Sequence, residues 1–313
     1  MFLDKIRSYA AQVMMEIILI VLCLVLALSA PNFLTLANLL NVLRTISMQG
    51  IIAFGMTMVI VSGEIDLSVG SAAGFAGCLI AYLTKVGIPI PIGVMMTLAV
   101  GFGIGSFTGV MRTKYQVPSF ITTLALLTGL RGGALLITKG FTLTPFPDWF
   151  KFLGGGYLFR MPFPALVLIV AFIGIHFVMT YTSFGRSVYA VGGNAETARL
   201  CGMDVTLVRI LVLAITGTLC SLSGIMLASR INSGSPSAGQ GWELEVISAV
   251  IIGGTSLAGG VGTVWGTLIG VVFIGVITNG MTLLNVPIYG QLVVKGLLIL
   301  VAVLINRMQQ TSH

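Results

Sequence analysis

The sequence predicts an all-α polytopic membrane protein with about ten transmembrane helices, some of them discontinuous, and three observations carry that prediction. Of 313 residues, 57% are hydrophobic and 8% charged, against the roughly 25% charge of soluble domains. The mean hydropathy is +1.07. Apolar runs recur along the whole chain, and each bilayer crossing takes about 20 residues. No stretch is left for a separate soluble domain, and residues 1–313 read as one transmembrane domain. The 40 glycines indicate close helix packing and broken helices, because there is no collagen period and no Pro/Ser linker.

The runs lie near 11–30, 45–62, 70–84, 88–111, 118–138, 162–181, 207–229, 244–258, 264–284 and 288–306, each bounded by charges, prolines or glycine clusters. The first follows Lys5 and Arg7 as in a signal peptide, but no small-residue cleavage site with a polar start follows, so it reads as a retained helix. Lys85, Arg112, Lys139 and Arg230 close runs three, four, five and seven, and Pro118 and Pro162 open runs five and six. Two connections do more than turn: 139–161 and 182–206. One span separates them, so they face opposite compartments.

The net charge of +7 is scattered singly. This suits a chain among anionic lipids and excludes the dense basic patch of a nucleic-acid binder. With a cytoplasmic N-terminus, Lys5, Arg7, Arg112, Lys114, Arg186, Arg199, Arg209 and Arg307 face inward, and Arg44, Lys85, Lys139, Lys151, Arg160 and Arg230 outward. That is only a weak positive-inside bias. Cys23, Cys78, Cys201 and Cys220 form no CxxC pair and have no histidine at ligand spacing, so they read as packing residues, and no metal site is expected.

Four features remain as candidate chemistry, beside one internal echo. The segment 62–71, SerGlyGluIleAspLeuSerValGlySer, sets Glu64 and Asp66 between apolar runs. There they wall a polar path through a broken helix, or Asp66 or Ser68 merely caps the next helix. The stretch 253–263 is glycine-rich but lacks the GK[ST] ending of a phosphate loop, so it reads as a tight turn. Val59–Ser71 and Val250–Thr263 echo each other, through duplication or through coincidence in apolar sequence. Gln49, Arg131, Asn279, Gln291 and Lys295 are polar groups inside apolar runs and join Glu64 and Asp66 as candidate path residues, with interfacial snorkelling the alternative for Arg131 and Lys295. In 182–206, Asn194 can cap a two-turn amphipathic helix whose early Glu196 complements its dipole, with Gly202 ending it.

That loop, GlyGlyAsnAlaGluThrAlaArgLeuCysGly at 192–202, stands in order with 62–71, ProSerPheIleThrThrLeu at 118–124 and IleSerAlaValIleIleGlyGlyThrSerLeuAlaGlyGly at 247–260. Together they resemble the membrane permeases of bacterial ATP-binding-cassette importers of the ribose type, over residues 31–306. The resemblance implies a non-enzymatic subunit without cofactor of its own, ATP and magnesium being held by partner ATPase subunits. It also implies a second permease copy or paralogue, a periplasmic substrate-binding protein, and a multi-pass location in the inner membrane with both termini cytoplasmic. The family's coupling helix maps onto Asn194, Ala195, Glu196, Thr197, Ala198, Arg199 and Gly202. Lys139, Lys151, Arg160 and Arg230 would face the docked binding protein. The superfamily also holds branched-chain amino-acid permeases. An ion-coupled secondary transporter using Glu64 and Asp66, and a scaffold without transport, are the competing readings.

Overall fold

The computed structural model describes residues 2–144 and 146–310, with side chains from Met15 to Leu298, Pro145 excepted, and at Leu300 and Leu304. The side chains of Lys5, Arg7 and Arg307 lie outside that description. Among the described residues there are thirteen α-helices, a 3-10 turn at Asp148–Lys151 and a two-residue hairpin, β1 (Tyr157–Leu158) with β2 (Met161–Pro162). The protein is an all-α polytopic membrane protein. Six helices are long and apolar enough to cross a bilayer: α2 (Leu36–Val61), α4 (Ile90–Thr113), α5 (Ser119–Thr138), α7 (Phe163–Tyr181), α10 (Val205–Ile231) and α12 (Val264–Leu283). Shorter apolar helical stretches run over Met15–Ser29 of α1 (Phe2–Ser29), α3 (Val69–Lys85) and Ile288–Leu298 of α13 (Ile288–Gln310).

Two expected spans take a different form. The run expected at 45–62 begins at Leu36, because Thr35 Oγ1 accepts the Asn38 N–H at 3.4 Å and starts the helix earlier. The run expected at 244–258 yields only α11 (Trp242–Ile252), 11 residues, about 16 Å long and half a hydrocarbon core. Gly254 at φ +88° and the bond from Thr255 N to Val250 O end it in a Schellman-type turn. The expected run carries on through 253–258, the start of the glycine-rich stretch that forms this turn.

Helix α10 is the axis of the fold, packed against α4, α3 and α2. The contacts are backbone-close: a Cβ at Gly101, Gly105 or Gly109 of α4 would overlap α10, and one at Gly217 or Gly224 would overlap Gly101 or Ala73 carbonyls. Small residues spaced by four give bilayer helices such approach. These pairings set levels along the axis. Ser223 Oγ bonds Met48 O at 2.7 Å, Gly55 faces Thr216, and Arg209 meets Glu64.

The same ruler shows two broken crossings. Ala73 lies opposite Gly224, so Val69, the start of α3, falls near Cys220, about 16 Å along the axis from Arg209. Residues 62–68 therefore climb, non-helical, from the end of α2 to mid-depth. From the other end, residues 232–241 descend along a seam of small residues on α3. Gly234 abuts Gly77 and Ala81, Ala238 abuts Gly74, and Gly239 abuts Gly70. Helix α11 starts there and runs the opposite way, Ala249 opposite Gly270 and Gly253 opposite Gly266 of α12. The N-termini of α3 and α11 thus meet at mid-depth. Non-helical backbone at such depth persists only when protein or water surrounds it.

The echo between 59–71 and 250–263 has matching geometry at its start. Gly63 (φ +80°) and Gly254 (φ +88°) follow the same pair of bonds, Glu64 N to Val59 O with Gly63 N to Ile60 O, and Thr255 N to Val250 O with Gly254 N to Ile251 O.

Candidate functional site

Residues 182–204 form a bracket at one end of the bundle. Thr182 caps α8 (Ser183–Gly193). Asn194 leaves helical geometry at φ −159° and its Oδ1 accepts the Thr197 N–H at 2.9 Å, starting α9 (Ala195–Leu200). Glu196 and Arg199 are exposed and 3.9 Å apart, a pairing worth little in itself. Ala198 is buried and seats the helix, while Leu200 is 80% exposed. Gly202 at φ +80° reverses the chain, and Asp204 caps α10 through the Leu207 N–H at 2.9 Å.

The bracket is held on backbone. A Cβ at Gly192 would overlap Val61 O and crowd Gly260 N. Gly260 N bonds Val61 O at 2.8 Å, and the Tyr189 hydroxyl donates to Gly262 O at 2.8 Å. The end of α2, the turn after α11 and the bracket therefore converge on one spot.

Beside it, Glu64 is the most constrained carboxylate. Its side chain is 3% exposed, takes Arg112 Nε at 2.7 Å and 3.0 Å, and has Arg209 Nε at 3.0 Å. Arg112 comes from the end of α4 and Arg209 from the start of α10, so one carboxylate ties three helix ends. Asp66 turns back on its own chain, Oδ1 accepting Ser68 N at 2.7 Å and Ser68 Oγ at 2.6 Å. Ser68 precedes α3 without a side-chain cap.

At mid-depth, Glu245 in the first turn of α11 receives Gln49 Nε2 from α2 and Lys295 Nζ from α13. Glu243 Oε2, buried and without a hydrogen-bond partner, is directed at Gly70 in the first turn of α3, where the helix dipole favours an anion. Arg131 of α5 donates to Pro236 O and to Ala238 O at 2.8 Å, satisfying carbonyls of the descending segment. Asn279 pairs with Asn38 at 2.8 Å and 2.9 Å, and Gln291 bonds Val286 O at 3.0 Å. Of the polar residues singled out within apolar runs, only Gln49 and Lys295 are brought to one acceptor.

The end opposite the bracket carries dispersed cations. Arg44 stands 4.9 Å over the Tyr157 ring. Arg230 reaches Thr45 Oγ1 at 3.2 Å and Asn41 Oδ1 at 3.4 Å. Lys139 and Arg160 occupy turns at φ 54° and 64°. Lys151 bonds Asp148 at 2.7 Å, and that hydrogen bond, with the lysine's charge, holds the exposed Asp148 carboxyl below the usual range.

Glu243, Glu245, Arg112 and Arg209 were not among the candidate site residues of the sequence. The signal for the first two was available: Glu243-x-Glu245 opens an apolar run with the same spacing as Glu64-x-Asp66. The arginines sit at span ends, where a cation is ordinary, and their partner is 48 or more residues away.

Residues 38–303 match the profile of a family described as the branched-chain amino acid transport system permease component. The ribose import permease protein of Bacillus subtilis strain 168 is 40% identical over 291 residues, 92% of this chain and 90% of the relative. That of Escherichia coli K12 is 40% identical over 298 residues, 94% and 93% of the two chains. The xylose transport system permease protein of Haemophilus influenzae Rd is 35% identical over 367 residues, covering 96% and 98%. No solved structure matches the chain. On the breadth of these matches, the chain belongs to this permease family, alongside the ribose and xylose permeases of bacterial importers.

Proposed function

We propose that this chain is the membrane-spanning subunit of an ATP-driven importer that moves a sugar or sugar-like solute handed over by a periplasmic binding protein. The observation that carries the reading is the bracket: a capped, exposed two-turn helix seated through Gly192 on the backbone of both helix breaks. A push there reaches the path-forming segments without an intervening flexible side chain. The relatives' names, ribose and xylose permeases, support the solute class.

In this reading the bracket is cytoplasmic and docks an ATPase subunit through Asn194, Ala195, Glu196, Thr197, Arg199 and Leu200, with Ala198 seating the helix and Gly202 turning the chain. ATP and magnesium belong to that partner. Ten crossings result when 62–68 with α3, and 232–241 with α11, each count as one; both termini are then cytoplasmic. The opposite end, with Arg44, Lys85, Lys139, Lys151, Arg160 and Arg230 in or beside connections where Asp148 is the acid, faces the periplasm. A cationic outer face runs against the positive-inside tendency, and attraction of an acidic docking partner accounts for it. A second permease copy or paralogue completes the path. Nucleotide-driven closure of the ATPases moves the brackets and shifts the pair between outward-open and inward-open states. Glu64, Asp66 and Arg131 hold the broken segments in register, Asn279 ties α12 to the start of α2 and Gln291 closes the turn before α13, while Gln49 and Lys295 stand on the path.

The test is reconstitution in liposomes with an ATPase subunit and a panel of sugar-loaded binding proteins. Stimulation of ATP hydrolysis by a loaded binding protein, with solute accumulation, is the expected result. A folded chain that never retains an ATPase, with uptake that collapses under an uncoupler, would replace this reading with ion coupling.

A further inference from the structure

We infer that Gln49, Glu245 and Lys295 form a mid-membrane binding station for the hydroxyl groups of a neutral polyol, at the point where the second helix break begins. The inference rests on the importer reading and adds to it a place and a chemistry. Gln49 lies mid-way along α2, 13 residues from Leu36 and 12 from Val61, about 18–20 Å from either end. Glu245 falls at the same depth by the α11–α12 ladder, one turn before the Ala249–Gly270 contact and hence near Ile274, the middle of α12.

Charged side chains at that depth are strongly disfavoured in hydrocarbon and face a protein interior or water. Yet Glu245 and Lys295 each keep 20% of their side-chain surface open. The open side therefore faces away from lipid, toward the path that the second permease copy completes. The chemistry is specific: one carboxylate, one ammonium and one amide, with no net charge. After their mutual bonds, Lys295 retains donors, Gln49 retains its carbonyl oxygen as an acceptor and one N–H, and Glu245 retains lone pairs. Such a set offers donors and acceptors together, as vicinal hydroxyls require, and gives an anion or a cation no preferred seat. The junction also holds its shape, because Glu243 sits against the first turn of α3 and Arg131 holds the carbonyls of Pro236 and Ala238.

The test uses the whole transporter in proteoliposomes, with Cys23, Cys78, Cys201 and Cys220 replaced by serine. Gln49→Cys is compared with Val170→Cys, whose side chain is 70% exposed midway along α7. A membrane-impermeant cationic thiosulfonate is the probe, and D-ribose, D-xylose and L-arabinose are the solutes. The expected result is labelling of Gln49→Cys at least about tenfold faster than Val170→Cys, slowed by the pentose that the unmodified transporter accumulates. In separate preparations, Glu245→Gln and Lys295→Gln lower the pentose moved per ATP hydrolysed by roughly tenfold. Labelling of Gln49→Cys no faster than Val170→Cys overturns the station. So does a fall of uptake and hydrolysis in equal proportion in both charge variants, which marks a merely structural pair. If the unmodified transporter accumulates no solute from any loaded binding protein, the importer reading fails first, and the station with it.

Discussion

Replacing Glu64 by glutamine keeps the shape of the side chain and removes the charge that separates two arginines. The carboxylate is 3% exposed, Arg112 28% and Arg209 16%. Removing one partner of a buried ion pair costs about 3–5 kcal/mol. Arg112 can turn partly to water, which places Glu64→Gln near the low end, about 3 kcal/mol. Larger domains lose roughly 2–4 °C of midpoint per kcal/mol, so the detergent-purified chain should unfold about 6 °C or more below the parent. Arg112→Met and Arg209→Met each leave Glu64 with one guanidinium and a neutral pair, and their cost should stay at roughly 1–2 kcal/mol. Thermal unfolding of the three variants, followed by the loss of the monodisperse chromatographic peak, reads the order directly. An unshifted midpoint for Glu64→Gln, or arginine variants as damaging as it, would refute the clamp.

Four further outcomes follow from the same geometry. Gly202→Pro or Glu196→Arg should leave the chain inserted but weaken retention of an ATPase subunit in co-purification; normal retention and uptake in both would remove the bracket from its docking role. Asn194→Ala deletes the cap of α9 and should cost about 1 kcal/mol locally, seen as faster amide exchange over 195–201 with α10 unaffected. Gly224→Ala drives a methyl into the Ala73 carbonyl and should cost roughly 1–3 kcal/mol in thermal unfolding, whereas Gly103→Ala on the open face of α4, with nothing within 4 Å, should not. Asp148 stays ionised to lower pH than an ordinary aspartate because Lys151 holds its charge. The small support this pair gives its loop is present at neutral pH and is lost as pH falls through the lowered value, so Lys151→Met should shift that titration upward, read from the Asp148 carboxyl carbon signal by NMR.

The sequence made the bracket legible because its signals are local: an Asn at the cap, an acid in the first turn, a Gly at the reversal. Runs three to seven were legible for the same reason, their charges and prolines marking ends, and run nine through the glycine-rich turn before it. The second break was not. Residues 246–252 are apolar but for Ser248, and what shortens α11 is a left-handed glycine at Gly254 after it and, before it, an extended approach over 232–241 that fits only against the bare edge of α3. Partners were illegible altogether. Gln49 meets Glu245 across 196 positions and Arg131 meets Ala238 across 107, so a polar residue in an apolar run announced a need without naming what answers it. The pair Glu243 and Glu245 carried the same alternating signature as Glu64 and Asp66 at the mouth of an apolar run, and that spacing was their signal in the sequence.

The meeting of Gly192, Val61 and Gly260 has a mechanical meaning. Side chains yield by rotating about single bonds, so a joint made through them has play. Here three strands of main chain touch with nothing between them, and the bond from Gly260 N to Val61 O pins two of them directly. A displacement of the bracket by a fraction of an ångström cannot be absorbed at that point and must appear in the segments leading to α3 and α11. The joint acts as a stiff fulcrum. Any residue larger than glycine at position 192 would hold the lever away from its load.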